Sequence, residues 1–322
     1  MTAAAAHRHW AEEFQHEALF YAGLDDFLAS TVPFVREGLA GNEAILVAVP
    51  AVRLRALRAE LQPDLVDNAA CVTFLDMEAI GHNPAHIIPA WSQFLRDNGG
   101  GAAPVRGIGE PIWAGRSDAE LAECQRHESL LNVAFADSGS WRLLCPYDTM
   151  SLPGDVIAEA EASHPWVSHA HGSRSSSVSC RDLDVMAQPF DAPLTPAASG
   201  AQSVTFGLDD MVAVRKLVAV CSRVSGLSLA RTDDLVLAVH EVVSNSVRHG
   251  GGTGTIRVWH DGHAIVCEVT DAGRIDQPLV GRELPDEDSL GGRGLWMANR
   301  LCDLVQIRTL PDGNVVRVHM NV

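Results

Sequence analysis

Three groups of residues in the last third of the chain have types and spacings that could do chemistry on a nucleoside triphosphate. The first lies in DDLVLAVHEVVSNSVRHG, starting at Asp233. Leu235, Val236, Val239, Val242, Val243 and Val247 recur at helical spacing and would bury one broad face. Glu241, Asn245 and either Arg248 or His249 follow three or four residues apart, so they project from one side of the same helix. An asparagine in mid-helix has mediocre helix propensity and asks for a reason. Its carbonyl oxygen is a hard neutral ligand suited to Mg²⁺, which takes oxygen donors and shares them with waters and phosphates. The Glu241 carboxylate is placed to take a proton from a nucleophile attacking a γ-phosphate. On spacing alone, a solvated helix face is the simpler account of this stripe.

The second group is Asp271-Ala272-Gly273, directly after the strand-like IVCEVT. A carboxylate at a strand end can accept from the amino group of adenine, and a glycine two residues on lets backbone approach the ring. Asp-x-Gly is also ordinary turn chemistry. The third group is Gly291-Gly292-Arg293-Gly294-Leu295, opening a helix. Glycines there expose backbone N–H groups to phosphate oxygens, and the helix dipole favours the anion. A flexible loop would read the same way.

The elements that must position these groups can be read around them. SVTFGL from Ser203 reads as a strand, followed by a helix from Asp209 to about Val224 with Asp209 or Asp210 as its cap. Thr232 or Asp233 caps the helix that carries Asn245, and Gly250-Gly251-Gly252 stops it. TIRVWHDGHAIVCEVTD is a hairpin turning at Asp261-Gly262. After the polar stretch 272–290 come a helix from Gly292 to Leu301 and two strands around a Pro-Asp-Gly turn.

The first half has a different rhythm. Strand-like EALFY, EAILVAVP, CVTFLD, APVRGIGE and WRLLCPYD alternate with helical stretches at 25–39, 52–61, 84–98, 117–135 and 154–162, with Ser117 as an N-cap. That alternation means an α/β domain with a mostly parallel sheet and ligands beyond the carboxyl ends of its strands. Glu110, Glu128, Cys145, Tyr147, Asp148 and His164 cluster near strand ends, with His16 just ahead of the first strand. They could bind a small ligand, His and Cys could take a metal, or the group could simply hold loops together. His169-Ala170-His171 reads as the solvated start of a linker rich in Ser, Pro, Ala and Gly, partly ordered near Val185–Phe190. The expected domains are 14–168 and 203–322, joined by a linker over 169–202.

The 322 residues suit two domains, and the net charge of −17 lies mostly before residue 201. An acidic first half argues against nucleic acid or an anionic membrane as partner. Seven scattered cysteines, an odd number, do not make a disulfide framework. With no signal-peptide core and no apolar stretch long enough to span a bilayer, a cytoplasmic protein is expected.

The order EVVSNSVRHG, then DAG, then GGRGLWM resembles the N, G1 and G2 boxes of the GHKL (histidine-kinase-like) ATPases over roughly 203–320. The resemblance implies an α+β Bergerat fold, a mixed sheet with helices on one face. It implies ATP as ligand, with Mg²⁺ on Asn245, adenine on Asp271 and a mobile lid at about 274–291. The ATP contacts it implies are Asn245, Arg248, His249, Asp271, Gly273, Gly291, Gly292, Arg293, Gly294 and Leu295. Glu283, Asp286, Glu287 and Asp288 in that lid should point outward or move, because like charges near phosphate are unfavourable. The G1 box lacks its usual second glycine, having Arg274-Ile275, and residues 172–203 hold no histidine for a phosphoacceptor hairpin. Both departures resemble the anti-sigma-factor serine/threonine kinases. That likeness implies Glu241 as general base, an anti-anti-sigma (STAS-type) protein as substrate, a sigma factor as partner and a homodimer. A nucleotide-gated sequestering protein with little turnover, and an atypical histidine kinase, are the other readings.

HEALFY, FVREGLAGNEAILVAVP, GEPIWA, HESLLN, LLCPYD and SHPWV are similar to the MEDS (methanogen/methylotroph sensory) family over about 14–168. This implies a RecA-like α/β sensory module for an unidentified small ligand. The sequence has no GxxxxGK[ST] loop, so no second ATPase site is expected.

Overall fold

Apolar runs too short for helices become parallel strands in the first half of the chain. The computed structural model describes residues 13–98, 104–169, 172–179, 182–188, 190–283 and 292–322. The chain divides into two units. One holds the described residues of 1–79, 92–116 and 128–186, the other those of 80–91, 117–127 and 187–322.

The elements begin β1 (Gln15–Tyr21), α1 (Gly23–Ala40), β2 (Ala44–Val49), α2 (Ala51–Glu60), α3 (Gln62–Asn68), β3 (Val72–Asp76) and α4 (Met77–Ile80). They continue with α5 (Ile87–Asn98), β4 (Val105–Gly109), α6 (Asp118–Ala134), β5 (Trp141–Asp148), α7 (Gly154–Ser163), β6 (Trp166–His169), β7 (Gly172–Ser175) and α8 (Leu183–Met186). The strands form one sheet in the order β3-β2-β4-β5-β1-β6-β7, parallel except for β7, which runs antiparallel to β6. Ile45 to Val49 are wholly buried, as expected of a strand covered on both faces. Leu19, Tyr21, Phe27, Val35, Ile45, Val47 and Leu57 share one core. Arg106 of β4 is fully buried and gives Nη2 to Glu43 Oε1 at 2.6 Å and Nη1 to the Phe34 carbonyl at 2.7 Å.

Ser117 caps α6 reciprocally: it accepts from the Glu120 amide at 3.3 Å and its own amide donates to Glu120 Oε2 at 2.8 Å. The helix expected from Pro84 opens as a 3₁₀ turn, with Asn83 accepting from the Ala85 amide at 3.0 Å. Strands β6 and β7 are an addition: four residues each, too short to show a period in the sequence.

The second half supplies β8 (Gln202–Phe206), α9 (Met211–Val224), α10 (Leu229–His249), β9 (Gly254–His260), β10 (Ala264–Asp271), α11 (Arg293–Leu301), β11 (Leu304–Leu310) and β12 (Gly313–Asn321). Its sheet has the order β11-β12-β10-β9-β8. The resemblance implied a mixed sheet, whereas every described pairing is antiparallel. The cause is local: β9–β10 and β11–β12 are hairpins, and β12 lies between β10 and β11. Phe206, Val218, Leu235, Val239, Val242, Val243, Ile256, Cys267 and Leu295 join the three helices and the sheet in one core. Elsewhere on the sheet Glu268 of β10 lies opposite Arg257 and Arg317 and binds both, at 3.0 and 3.1 Å.

Part of the stretch read as linker is bound to this sheet. The Thr309 amide donates to the Phe190 carbonyl (3.0 Å), Arg308 Nε to the Ala192 carbonyl (3.0 Å) and Arg317 Nη2 to the Thr195 carbonyl (2.6 Å). Among the described residues no helix is long and apolar enough to cross a membrane.

Candidate functional site

Helix α10 starts earlier than its sequence suggested. Ser228 is its N-cap, accepting from the Arg231 amide at 3.3 Å, so Thr232 is a buried helical residue and not the cap. The helix extends one turn upstream of Asp233, over residues of which Leu229 and Ala230 are exposed, so the Ser228 cap rather than burial sets the start. The stop is as expected: Gly251 and Gly252 both take φ near +90°, a region other residues avoid.

With Val239, Val242 and Val243 buried, Glu241 and Asn245 lie half-buried on the flank of α10. Helix α11 begins beside them. Its N-cap Gly292 has φ +87°, a left-handed turn that aims the chain into the helix. A methyl group at Gly294 would lie 3.0 Å from Asn245 Nδ2 and 3.1 Å from Glu241 Oε2, closer than ordinary contact. The bare glycine therefore keeps the G2 backbone against this side-chain pair. Leu295 sits in the shared core and pins α11. Arg248 and His249 are exposed on the last turn of α10, and Arg293 is exposed at the start of α11. Gly291 and most of the acidic lid, including Asp286, Glu287 and Asp288, lie outside the described residues, while Glu283 is exposed.

Asp271, the last residue of β10, is fixed by both oxygens. Ser246 Oγ donates to Oδ2 at 2.6 Å and the Gly273 amide donates to Oδ1 at 2.8 Å. Asn314 Nδ2 approaches Oδ1 at 3.4 Å. A methyl group at Gly250 would lie 2.5 Å from Asp271 Cγ, and one at Gly273 2.9 Å from Oδ1. Two glycines thus leave room around one oriented carboxylate. Arg274, in place of a second G1 glycine, pairs with Asp276 at 2.8 Å.

The first-half candidates separate into two groups. His16, Glu128, Cys145 and His164 are all buried, and their donor atoms lie within 4.8 Å of one another. His16 is the second residue of β1, not ahead of it, because the strand starts at Gln15. Burial and the neighbouring His164 push His16 down to about 4, so it is neutral at pH 7. Burial raises the Cys145 thiol, as does the Glu128 charge. The second group is Glu110 and Asp148 at the carboxyl ends of β4 and β5, joined by Arg53 at 3.3 and 3.4 Å. Tyr21 donates to Glu110 at 2.7 Å. Burial raises the Glu110 carboxyl to about 8, outweighing Arg53 and the Tyr21 hydrogen bond. Tyr147 packs edge-on against His164, with ring centroids 5.6 Å apart.

Residues 15–165 match the MEDS family (MEthanogen/methylotroph, DcmR Sensory domain), and residues 204–320 match the Histidine kinase-like ATPase domain family. The chain is a MEDS domain followed by a histidine kinase-like ATPase domain. No curated protein matches it. Among solved structures it is similar to the crystal structure of the RsbU and RsbW domains of Rv1364c from Mycobacterium tuberculosis. The identity is 20%, with 38% of this chain and 33% of that chain covered and a TM-score of 0.29. The chain thus spans about a third of that protein's length.

An ATPase domain implies a nucleotide site, and two residues that contact Asp271 were missed in the sequence. Ser246 could have been found: it follows Asn245, and a small polar residue on a helix flank can reach a neighbouring strand end. Asn314 could not, because its approach to Asp271 comes from the register that puts the two opposite each other. In the MEDS domain the missed residues are Tyr21, Arg53 and Asn132. The last of these accepts from His16 Nδ1 at 3.2 Å.

Proposed function

We propose that the ATPase domain binds Mg-ATP and that the protein is a serine/threonine kinase of the anti-sigma-factor type, governed by its MEDS domain. The observation that carries the reading is the convergence of Glu241, Asn245 and Gly294, with Asp271 held rigid nearby by Ser246 and Gly273. The donor set suits the metal: a carboxamide oxygen and an adjacent carboxylate are hard oxygen ligands, and the missing side chain at 294 leaves room beside them. Asn245 would hold Mg²⁺, which when bound neutralises phosphate charge. Asp271 would accept from the adenine amino group, and Gly273 would let backbone approach the ring. The amides of Gly292, Arg293 and Gly294 would face phosphate oxygens at the start of α11, with Gly291 before them and Leu295 anchoring the turn. Arg248 would add positive charge at the helix end, and His249 would offer a ring nitrogen beside it. Glu241 would hold the proton released by an attacking hydroxyl.

The substrate in this reading is a serine or threonine on an anti-anti-sigma (STAS) protein, with release of a sigma factor as the outcome and a homodimer as the working form. The test is to incubate the full chain with Mg-ATP and a panel of STAS proteins, and to look for acid-stable phosphate. Phosphoserine or phosphothreonine that disappears with Glu241→Ala supports the kinase. ATP binding without transfer to any of them overturns it. The Arg274–Asp276 pair in a shortened G1 box favours, as second reading, a nucleotide-gated sequestering protein. In that case Glu241→Ala would leave partner control intact.

A further inference from the structure

The buried cluster in the MEDS domain has a chemistry that the nucleotide site does not use. His16 Nε2 lies 3.1 Å from Glu128 Oε2, His164 Nε2 lies 3.3 Å from the same oxygen, and Cys145 Sγ lies 3.3 Å from His16 Nε2. None of the four side chains is more than 1% exposed. They come from β1, α6, β5 and the turn after α7.

The surroundings fix which atoms face inward. Asn132 gives its Nδ2 to the Ser163 carbonyl at 2.9 Å, so its Oδ1 is turned to His16 Nδ1 and must accept from it at 3.2 Å. His164 Nδ1 sits 2.7 Å from the Ala160 carbonyl, which can only accept. Both Nδ1 atoms therefore carry protons, and both Nε2 lone pairs point into the cluster. This is the arrangement by which a second layer of acceptors orients metal-bound histidines. Glu128 Oε1 and His164 Nε2 are buried without a hydrogen-bond partner. Such atoms are costly to leave unserved.

We propose that His16 Nε2, His164 Nε2, Cys145 Sγ and the Glu128 carboxylate form a four-coordinate site for a divalent transition-metal ion of the Zn²⁺ class. Two geometric facts favour an ion over an organic ligand. Metal bonds of roughly 2.0–2.3 Å in a tetrahedron put donors roughly 3.3–3.7 Å apart. The observed separations of 3.1, 3.3 and 3.3 Å are close to such edges, and four donors within 4.8 Å of one another enclose one ion. The donors are two imidazole nitrogens, one sulfur and one oxygen, the borderline-soft set that selects Zn²⁺ or Co²⁺ over Mg²⁺ or Ca²⁺. Charge also balances: one thiolate and one carboxylate neutralise a divalent ion, as a fully buried site demands. Binding as a thiolate requires Cys145 to give up its proton, so the ion is exchanged for that proton. With all four positions filled by protein, the site is of the closed, structural type, and its ion ties four separate elements together.

The test uses the full chain expressed in minimal medium supplemented with Co²⁺ or Zn²⁺, purified without nucleotide, with metal counted by mass spectrometry. The expected result is about one ion per chain. The Co²⁺ form should show a thiolate-to-metal charge-transfer band and the intense visible bands of tetrahedral cobalt. Cys145→Ser should remove the charge-transfer band. Asn132→Ala, which keeps all four ligands, should weaken affinity by about 10- to 100-fold. Circular dichroism on each variant confirms folding. A folded wild-type chain with no Co²⁺ or Zn²⁺ overturns the proposal. So does metal retained in full, with unchanged spectrum, by folded Cys145→Ser.

Discussion

Gly294→Ala separates a packing role from a nucleotide role. Gly294 is helical, so alanine there gains about 1 kcal/mol of helix propensity. Its methyl group would meet Asn245 Nδ2 at 3.0 Å and Glu241 Oε2 at 3.1 Å. Moving those two side chains by a few tenths of an ångström costs about 0.5–1.5 kcal/mol. The two effects nearly cancel, so the melting temperature should stay within a few degrees of wild type. Nucleotide binding has no such compensation. In the proposed site the methyl group stands where phosphate would approach the backbone amides, and losing one charge-assisted hydrogen bond costs about 1.5–3 kcal/mol. Calorimetric titration with Mg-ATP should show an affinity roughly 10- to 100-fold weaker, at 1.4 kcal/mol per tenfold. A variant that melts like wild type and binds ATP equally well would refute the placing of phosphate at this junction. A variant that has lost several kcal/mol of stability would refute the near-cancellation.

Three other changes probe separate parts of the molecule. Ser246→Ala removes the 2.6 Å hydrogen bond to Asp271 and should weaken ATP by about 1 kcal/mol, roughly fivefold, in the same titration. Unchanged affinity would show that Asp271 needs no such support. Glu110 holds its proton up to about pH 8 in the native chain, whereas the unfolded chain has released it above about pH 4.5. The native state thus binds the extra proton, and stability falls as pH rises through this window. Between pH 6.5 and 8 this group's share of the loss should be about 1–2 kcal/mol in urea unfolding, and Glu110→Gln should remove that share while leaving the histidines' contribution, common to both proteins. Equal slopes in both proteins would contradict the assignment. Arg106→Met strands the buried Glu43 carboxylate and should cost about 3–5 kcal/mol in the same unfolding assay. A loss below about 1 kcal/mol would mean that Glu43 finds water or another partner.

The sequence revealed elements better than it revealed their company. Runs such as AILVAV, and the repeat through Leu235, Val239 and Val242, report burial directly, so the strands and α10 were legible to within a few residues. Four-residue strands such as Trp166–His169 have no period to read, and so β6 and β7 were absorbed into their surroundings. Order near Phe190 was expected, but the bonds from Ala192 and Thr195 to the sheet were hidden because a Pro- and Ala-rich stretch has the same composition whether it is bound or free. In the nucleotide region the residue types named the chemistry, but only the fold brings Gly294 of α11 against α10. In the MEDS domain seven candidates were grouped by strand ends. The structure sorts them by the face and depth of β1 and β5: Cys145 pairs in register with Ala18 near His16, while Asp148 pairs with Tyr21 at the far end.

The central claim is that Asn245, Asp271 and the glycines opening α11 make one Mg-ATP site. It is tested most directly by titrating the full chain with ATP, with and without Mg²⁺, for wild type and Asn245→Ala. The account predicts one ATP per chain, tight binding that requires Mg²⁺ in wild type, and Mg²⁺-independent residual binding at least tenfold weaker in the variant. Wild-type and Asn245→Ala chains that bind ATP alike, with the same response to Mg²⁺, would contradict it.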